Sequence, residues 1–344
     1  MGTEPLRGAG AEGAPHTLRV VTVGGGTGQT TLIRALRELD ARGGAGRVAI
    51  DAVVAMADDG RSSGILRERE GVLPPGDVRK CLVALAADPA APLARALERR
   101  FPYLDNHSLG NLLLTALADG EGGFAAAVGE VSRALACVGR VHPSTLDDVT
   151  LAGTTAAGAE LRGQAALSYA AGRLDSVRLV PAAPAANGAA VAAILDADLV
   201  VLGPGSLFTS IMPNLLVPGI AAALRETRAA RLFVCPVADV PGETEGMDAE
   251  DYIAALGRMG ALDMVDAALF HRTDPTRPGA TDPRRVRYYP AVELSREAEG
   301  RLAARVPLVL ARHLASDADC TAHDPALLAD ALGEVAGACR SQAR

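Results

Sequence analysis

A short apolar segment that ends in glycine-rich sequence constrains the fold of this chain more than any other feature. Residues 18–23 read LRVVTV, a β-rich run typical of a strand buried on both faces of a parallel sheet. GGGTG follows directly at residues 24–28, and the leucines of residues 31–39 then recur at helical spacing. A second strand is predicted over residues 48–57. Strand, glycine turn, helix and strand form a βαβ unit, which requires a parallel sheet.

The rest of the chain continues this α/β pattern. Further helices are predicted over residues 82–87, 93–99, 109–118, 124–137, 189–197, 248–260 and 325–339, and further strands over residues 198–202, 231–235 and 265–270. Residues 150–179 are more β-like and are interrupted by glycine. We therefore expect a Rossmann-like α/β fold with a doubly wound, mostly parallel sheet and a small β-rich insertion around residues 150–185.

The same pattern predicts one domain over residues 18–340, because no long linker or internal repeat divides it. Residues 1–17 are rich in Gly, Pro and Ala and lack the continuous apolar core of a signal peptide. We expect this segment to be a disordered leader.

Composition narrows the possible partners. The 34 basic and 41 acidic residues give a net charge of −7, so no positive field favours nucleic acid or an anionic membrane. The five cysteines are widely spaced and form no zinc or disulfide pattern. No apolar run is long enough to span a membrane. The expected protein is cytoplasmic, and an anionic ligand would have to be held by local donors.

The first glycine turn, which we define as residues 24–28, is the main candidate for a phosphate site. Glycine lets backbone N–H groups approach an anion, and the following helix N-terminus adds partial positive charge. The pattern departs from the GxGxxG dinucleotide motif and lacks the Lys of a Walker loop. A tight strand–helix turn without a ligand remains the alternative. The predicted contacts here are Gly24, Gly25, Gly26, Thr27, Gly28, Gln29 and Thr30.

Asp58 and Asp59 follow the second predicted strand, at the sheet edge where open α/β sheets bind ligands. A carboxylate at this place can accept from a ribose hydroxyl or coordinate Mg²⁺. Asp-Asp-Gly is also an ordinary turn sequence, and both interpretations stay open. Arg61 and Ser62 come next and add donors suited to phosphate oxygens.

Polar residues at two predicted helix starts are further candidates. Asp77 is a plausible N-cap, followed by Arg79 and Lys80, which either lie near an anion or form a solvated pair. His107 alone is a weak candidate for a catalyst. Asn111 lies inside a first helical turn, where its side chain could reach a base or a phosphate.

The second glycine turn, residues 203–206 (GPGS), follows another predicted buried strand. Gly203, Gly205 and Ser206 supply backbone and hydroxyl donors, and Asn214 lies just beyond them. A serine nucleophile would need a base, no histidine lies close in sequence, and the G-x-S-x-G motif is absent. Anion binding is therefore favoured over covalent catalysis.

Seven motifs, taken together and in order, resemble those of the YvcK/CofD-like family. They are GGGTG, ADDGRSSG, GVLPPGDVRKCLVAL, HSLGNLLLTAL, GRVHPSTLDDVTL, GPGSLFTSIMPNLLVPGI and VPGETEGM, and the resemblance covers about residues 18–266. It implies a nucleotide site that includes Gly26, Thr27, Asp58, Asp59, Asn111, Gly205 and Ser206. The YvcK branch implies binding of UDP-N-acetylglucosamine and control of carbon use, cell-wall synthesis and cell shape. The other branch implies a Mg²⁺-dependent 2-phospho-L-lactate transferase that acts on a nucleoside-diphosphate adduct.

Four positions depart from the YvcK pattern. Arg61 stands where Gly is usual, His142 where Leu is common, and Pro236 and Val240 replace polar residues. A larger side chain at residue 61 could fill or re-specify the pocket, so these departures affect the expected ligand more than the fold.

The sequence thus predicts a protein that binds a nucleoside-diphosphate-linked small molecule. The first hypothesis is a nucleotide-sugar-binding regulator of the YvcK type. The alternative is a transferase with Mg²⁺ held by Asp58 or Asp59, both of which are then candidates for catalytic residues. An NAD-linked dehydrogenase is a distant third. Residues 211–220 could form either core or a homodimer contact, and core is favoured.

Overall fold

The computed structural model describes residues 17–43, 47–120, 122–274, 276 and 289–342. The predicted leader at residues 1–17 lies outside this part of the chain except for its last residue. The strands are β1 (Leu18–Gly24), β2 (Val48–Val54), β3 (Arg100–Phe101), β4 (His107–Ser108), β5 (Arg140–Pro143), β6 (Thr150–Thr155), β7 (Glu160–Arg162), β8 (Leu174–Val180), β9 (Leu199–Leu202), β10 (Ala230–Val234), β11 (Ala267–His271) and β12 (Leu308–Arg312).

Helices lie between most of these strands. They are α1 (Gly26–Arg42), α2 (Arg61–Glu70), α3 (Gly76–Leu85), α4 (Pro92–Glu98), α5 (Leu109–Ala118), α6 (Gly123–Ala134), α7 (Gln164–Ser168), α8 (Gly188–Leu195), α9 (Met212–Leu215), α10 (Pro218–Glu226), α11 (Ala249–Arg258), α12 (Arg296–Leu302) and α13 (Pro325–Gln342). A π-helical segment (Leu207–Ile211) leads into α9, and a 3-10 turn (Leu262–Met264) precedes β11.

The seven-stranded central sheet has the order β12-β11-β10-β9-β1-β2-β5, and every neighbouring pair is parallel. From β1 the chain builds outward to β2 and β5, then returns to β9 on the other side of β1. This reversal makes the β1/β9 boundary a topological switch point, where open α/β sheets form a ligand crevice outside the carboxyl ends of the strands. The predicted Rossmann-like, doubly wound sheet is confirmed.

The central strands are buried on both faces, which explains their near-continuous apolar sequence. Val20, Val21 and Val23 of β1 are buried, and so are all four residues of β9. The buried side chains form one apolar cluster that contains residues of the central sheet and its covering helices. Ile211 and Ile220 belong to that cluster, so the apolar stretch between them contributes to the core.

The β-rich insertion is also confirmed. Strands β6, β7 and β8 form a separate antiparallel sheet in which β6 is central. Short α7 packs beside it, and Leu151, Val177 and Leu179 join the apolar cluster of the main sheet. The extent of a single domain over residues 18–340 stays a prediction.

Several element bounds differ from the sequence-based expectation. Helix α1 begins at Gly26, because the first glycine turn itself supplies the first helical turn, and α2 at Arg61–Glu70 was not predicted. Helix α3 begins at Gly76, so the prediction of Asp77 as its N-cap is wrong; Asp77 lies inside the first turn. No single described helix is long and apolar enough to cross a membrane, although Leu207–Leu215 and Pro218–Glu226, bent by 78°, pass that test as a pair.

Candidate functional site

The two glycine turns touch each other at the switch point. A Cβ atom on residue 28 would overlap the Pro204 carbonyl group, at 2.7 Å from its carbon atom, and would lie 3.0 Å from the Gly205 Cα atom. Only glycine permits this approach, because a side chain would push the two turns apart. A Cβ atom on Gly205 would in turn lie 3.6 Å from the Gly25 carbonyl oxygen. The two turns are therefore in direct contact, and we call the region of the sheet edge that they border the crevice.

Ser210 lies against both turns. Its hydroxyl oxygen is 3.9 Å from the position of a Cβ atom on Gly26, and its Cβ atom is 3.5 Å from the corresponding position on Gly205. The side chain is only half-buried. The π-helical segment that carries Ser210 thus adds a hydroxyl donor to the crevice, next to half-buried Ser206.

A carboxylate of the same chain, that of Asp77, already binds the N-terminus of α1. The Gly26 amide donates to Asp77 Oδ2 over 2.7 Å, and Asp77 Oδ1 accepts from Lys80 Nζ over 2.8 Å. Although burial lowers the pKa of Lys80, the Asp77 carboxylate raises it above its usual value. Thr27 is exposed, and Gly28 is half-buried. The amides of Thr27 and Gly28 lie in the first turn of the helix, where N–H groups have no intrahelical acceptor, so they form the open face of the first glycine turn.

The second glycine turn is capped more completely. The Glu243 carboxylate accepts from the amides of Phe208 and Thr209 over 3.0 and 3.1 Å and from the Thr209 hydroxyl over 3.0 Å. The Ser206 side chain also hydrogen-bonds to this carboxylate. Burial raises the pKa of Glu243. The amides at the start of the π-helical segment are therefore already bound by Glu243, a buried side chain of the same chain.

Asp58 lies close to the first glycine turn. Its Oδ1 atom accepts from the Gly60 amide over 3.1 Å, and its side chain also hydrogen-bonds to Ser63. Burial, together with the neighbouring Asp77 carboxylate, raises the pKa of Asp58. Two carboxylates and Lys80 thus border the crevice on the side of β2.

Asp59 points in a different direction. Its two oxygens accept from the amides of Gln164 and Ala165 over 3.1 and 2.8 Å, so it binds the N-terminus of α7 in the insertion. The two neighbouring carboxylates thus have different partners, and the Mg²⁺ site predicted at Asp58 or Asp59 stays a prediction. Among the described residues, no group of three or more His, Cys, Asp or Glu side chains is arranged to hold a metal ion.

Ser62 and Asn111, both predicted to contact the nucleotide, lie in a buried polar network instead. Ser62 Oγ is 2.8 Å from His107 Nδ1 and accepts from Asn111 Nδ2 over 2.8 Å. Asn111 Oδ1 accepts from Arg79, whose Nε atom pairs with Glu98 over 3.0 Å. Arg79 is buried, so the solvated alternative for it is wrong, and burial lowers the pKa of its guanidinium.

Three further predicted contacts also face the interior. Gln29 Nε2 donates to the Val53 carbonyl over 2.9 Å and ties α1 to β2, while Thr30 Oγ1 donates to the Thr27 carbonyl. Asn214 Nδ2 donates to the Gly24 carbonyl over 3.0 Å. These side chains support the walls of the crevice from behind, and they do not line it.

The departures from the family pattern fall in three places. Arg61 begins α2 and is exposed, with a left-handed φ of 47°. His142 lies on edge strand β5, where its Nε2 atom is 2.6 Å from Asp51 Oδ1. Pro236 and Val240 lie in the segment after β10, half-buried. Of these residues, Arg61 is the one that continues the loop of Asp58 and Asp59.

Sequence reasoning did not assign any role to Glu243 and assigned the wrong one to Asp77. Both acids bind the start of a helical segment that is distant in sequence, so no local capping pattern reveals them. The only signal for Glu243 was its place in the VPGETEGM motif.

A cavity of about 890 Å³ lies at the opposite edge of the sheet, at the amino ends of β1, β9, β10, β11 and β12. Its charged residues are largely paired with one another; Arg19, for example, binds Asp196 and Asp198. This cavity is far from both glycine turns, and ligands of open α/β sheets bind at the carboxyl edge.

The fold is that of a Rossmann-like protein in which two glycine turns meet at the switch point of the sheet. A family model described as "2-phospho-L-lactate transferase CofD" matches residues 20–306. The gluconeogenesis factor of Halalkalibacterium halodurans is 39% identical over 256 residues, which cover 73% of this chain and 77% of that protein. A Nostoc relative that carries the same name provisionally is 41% identical over 319 residues, covering 91% of this chain and 68% of its own length.

A solved structure agrees with these sequence matches. The crystal structure of a UPF0052 family member from Bacillus halodurans superposes with a TM-score of 0.82 at 32% identity, covering 93% of this chain and 99% of that one. The chain therefore belongs to the CofD family, among the relatives named as gluconeogenesis factors. The family predicted from the sequence motifs is confirmed.

Proposed function

We propose that this protein binds a nucleoside-diphosphate-linked small molecule, such as a UDP-sugar, between the two glycine turns. The observation that carries the proposal is the packing of Gly28 against Pro204 and Gly205 at the switch point. This packing unites two strand–glycine–helix units into one crevice at the edge where α/β sheets bind ligands. Two adjacent donor sets suit two adjacent phosphates.

The open donors of the crevice are backbone amides and hydroxyls. Asp77 already accepts the hydrogen bond of the Gly26 amide, and Glu243 accepts those of the Phe208 and Thr209 amides. The diphosphate would therefore use the amides of Thr27 and Gly28 on one wall and the half-buried Ser210 hydroxyl on the second wall, since the Ser206 side chain hydrogen-bonds to Glu243. Because internal carboxylates already neutralise both helix starts, affinity would depend on these hydrogen bonds more than on net charge.

We propose that this binding has a regulatory role in carbon metabolism and cell-wall synthesis. Relatives of this chain are named gluconeogenesis factors. Asp59 accepts from α7 amides, and Asp58 accepts from Gly60 and hydrogen-bonds to Ser63, so both carboxylates already have protein partners and the proposed binding does not require Mg²⁺. The proposal places this binding in the cytoplasm, where nucleotide-linked metabolites are made and consumed.

The second candidate function is a transferase of a phosphorus-containing group. Its support is the family model, whose description is a transferase and whose match covers residues 20–306. In this version the same crevice would bind the nucleotide of the donor, and the carboxylates beside it would take part in the reaction. The two candidates share the pocket and differ in metal use and turnover.

A thermal-shift and calorimetric screen of UDP-N-acetylglucosamine, UDP and GDP, each with and without Mg²⁺, tests the proposal. A ligand at 100 times its Kd should stabilise the folded state by roughly 2.7 kcal/mol, which gives a readable shift. We expect metal-independent stabilisation by at least one UDP compound. If no nucleotide shifts the transition under either condition, the proposed site is wrong.

Turnover separates the two candidates. Incubation of the protein with nucleotide adducts and Mg²⁺ should leave them intact if the protein is a binding regulator. Conversion that requires Mg²⁺ would favour the transferase, and Asp59→Asn should then reduce conversion more than binding. If Asp59 only holds α7 in place, Asp59→Asn should lower the stability of the fold and weaken nucleotide binding together.

A further inference from the structure

The β-rich insertion, which runs from the start of β6 to the end of β8, is attached to the rest of the protein on both sides of the crevice. One attachment is to the loop after β2, and the other is to the loop after β10. In the central sheet, β9 and β1 lie between β10 and β2, and the two glycine turns follow β9 and β1. The insertion therefore joins the loops on either side of the two turns.

The attachment on the β2 side is short and polar. Asp59 accepts from the amides of Gln164 and Ala165, at the N-terminus of α7, over 3.1 and 2.8 Å. Gly163 precedes them with a φ of 101°, and a Cβ atom on it would lie 2.6 Å from Asp59 Oδ2. Glycine at this position thus permits both the left-handed backbone and the close approach of the carboxylate.

The loop that carries Asp59 is in contact with the first glycine turn through two carboxylates. Asp58 Oδ2 lies 3.1 Å from the position of a Cβ atom on Gly76. The residue after Gly76 is Asp77, which accepts from the Gly26 amide over 2.7 Å. A displacement of the insertion on this side therefore reaches the first turn through a short series of direct contacts.

The attachment on the β10 side uses a second glycine. Gly242 has a φ of 89°, and a Cβ atom on it would overlap the Ala170 carbonyl oxygen and lie 3.3 Å from the Ala170 amide nitrogen. The next residue, Glu243, accepts from the Leu174 amide through its backbone carbonyl over 2.9 Å. Its side chain binds the start of the π-helical segment that follows the second glycine turn. One residue thus contacts both the insertion and the segment next to the second turn.

These contacts close a ring around the crevice. Gly28 packs against Pro204 and Gly205 where the two turns meet, and the insertion joins the loops on their outer sides. Helix α7 also packs against the π-helical segment, and its Leu167 is fully buried in the main apolar cluster. Because a close-packed interior transmits strain, the separation of the two turns depends on the position of the insertion.

We propose that the insertion is a tie that sets the separation of the two glycine turns, and that Gly163 and Gly242 are its positioning residues. A ligand that hydrogen-bonds to both turns at once needs their donors at a fixed separation, and a preorganised site binds more tightly than one that must first be ordered. Detachment of the insertion on either side therefore lowers the affinity, although neither glycine belongs to the donor set. This inference rests on the proposed function.

Calorimetry of UDP-N-acetylglucosamine binding to the full chain tests the tie at each attachment separately. Gly242→Ala and Gly163→Ala should each weaken binding about tenfold, because the added Cβ atom displaces the insertion from its partner. The two variants act on opposite sides of the crevice, so either one tests the inference if the other does not fold.

Each variant has a matched control in its own segment. Gly246→Ala lies in the same loop as Gly242, and Gly158→Ala lies in the insertion with Gly163. Both glycines have a left-handed φ, of 74° and 86°, and a Cβ atom on either would meet nothing within 4 Å. The controls thus add the same backbone strain without the clash, and they should change the affinity less than about twofold. Equal binding by Gly242→Ala and Gly246→Ala, both folded, overturns the inference.

Gly139→Ala separates a positioning effect from a loss of stability. A Cβ atom on Gly139 would lie 2.5 Å from the Ile50 carbonyl oxygen, at the amino end of β5, so this variant should also destabilise the fold. Its affinity should match that of the unaltered chain when binding is measured at a temperature at which all variants are folded. Equal weakening in Gly139→Ala and Gly242→Ala overturns the inference.

Hydrogen exchange without ligand separates this inference from the proposed function. The Gly60 and Ser63 amides form hydrogen bonds in the loop after β2, on the far side of the crevice from Gly242. They should exchange about fivefold faster in Gly242→Ala than in Gly246→Ala, because the tie transmits the displacement across the crevice. Unchanged exchange at both amides overturns the tie even if nucleotides bind. If exchange responds as expected and no nucleotide binds, the proposed function fails and the tie between the two loops is supported.

Discussion

The two glycine turns have similar sequences but hold their helix starts in different ways. At the first turn, Asp77 binds one amide and shares its charge with Lys80, and the adjoining Thr27 is exposed. At the second turn, buried Glu243 binds two amides and the Thr209 hydroxyl. The same strand–glycine–helix pattern thus produces one wall with open donors and one wall whose helix start is built into the core.

This difference shows why a glycine turn alone is weak evidence for phosphate binding. The partial positive charge of a helix start can be satisfied by a carboxylate of the same chain as well as by a ligand. Whether the amides at a helix start remain free to bind a ligand depends on residues that are distant in sequence, here Asp77 and Glu243.

The largest expected effect is at the second turn. Glu243→Ala leaves two buried amides and a hydroxyl without their acceptor, so we expect a loss of about 4 kcal/mol in unfolding free energy. Chemical denaturation measures it. Glu243→Gln is the control, since a glutamine oxygen can still accept from both amides; it should lose about half as much or less. A loss below about 1 kcal/mol in Glu243→Ala would show that the second wall does not depend on this cap.

Contact between the walls is tested at Gly28. A Cβ atom on this residue would overlap the Pro204 carbonyl oxygen, so Gly28→Ala should cost about 2–3 kcal/mol in stability and weaken nucleotide binding. Gly24→Ala is the matched control, because its Cβ atom would meet only the Gln29 side chain at 3.7 Å or more. Binding that is equal in the two variants would contradict a ligand held by both turns.

The pH dependence of stability should report the buried acid of the second turn. Burial raises the pKa of Glu243, so the folded state favours its protonated form. Its stabilising contribution is therefore complete below the unfolded pKa of about 4.3 and is lost as the pH rises through the folded pKa, at about 1.4 kcal/mol for each pH unit that separates the two pKa values. The difference in unfolding free energy between the unaltered chain and Glu243→Gln, measured from pH 4 to 7, should fall with rising pH. If this difference does not change with pH, the hydrogen bonds to Glu243 lower its pKa as much as burial raises it.

The smallest effect is expected at the first turn. Asp77→Asn keeps an oxygen for the Gly26 amide but removes the charge beside the helix start and Lys80, which should cost about 0.3–1 kcal/mol. Thermal unfolding of Asp77→Asn and of the two Glu243 variants, measured under the same conditions, compares the two turns directly. A loss in Asp77→Asn as large as that in Glu243→Ala would mean that both turns are capped to the same degree.

Local sequence predicted most of the fold and the positions of the two glycine turns. Apolar strands, glycine turns and helical spacing depend on neighbouring residues, so β1, β9 and the two turns could be predicted from them. The roles of Asp77, Glu243 and Asn111 could not, because their partners lie 51, 35 and 49 residues away in Gly26, Phe208 and Ser62. Polar side chains in motifs near the site were predicted as ligand contacts, yet Gln29, Ser62 and Asn214 satisfy buried backbone or side-chain groups.

Hydrogen exchange of the full chain with and without saturating UDP-N-acetylglucosamine tests the central claim most directly. We predict that the ligand slows exchange of the amides in residues 24–28 and 203–206 together, because both turns hold the diphosphate. Slowed exchange at the amino ends of the strands, around Leu199 and Leu308 beside the opposite cavity, with no change in the glycine turns, would contradict it.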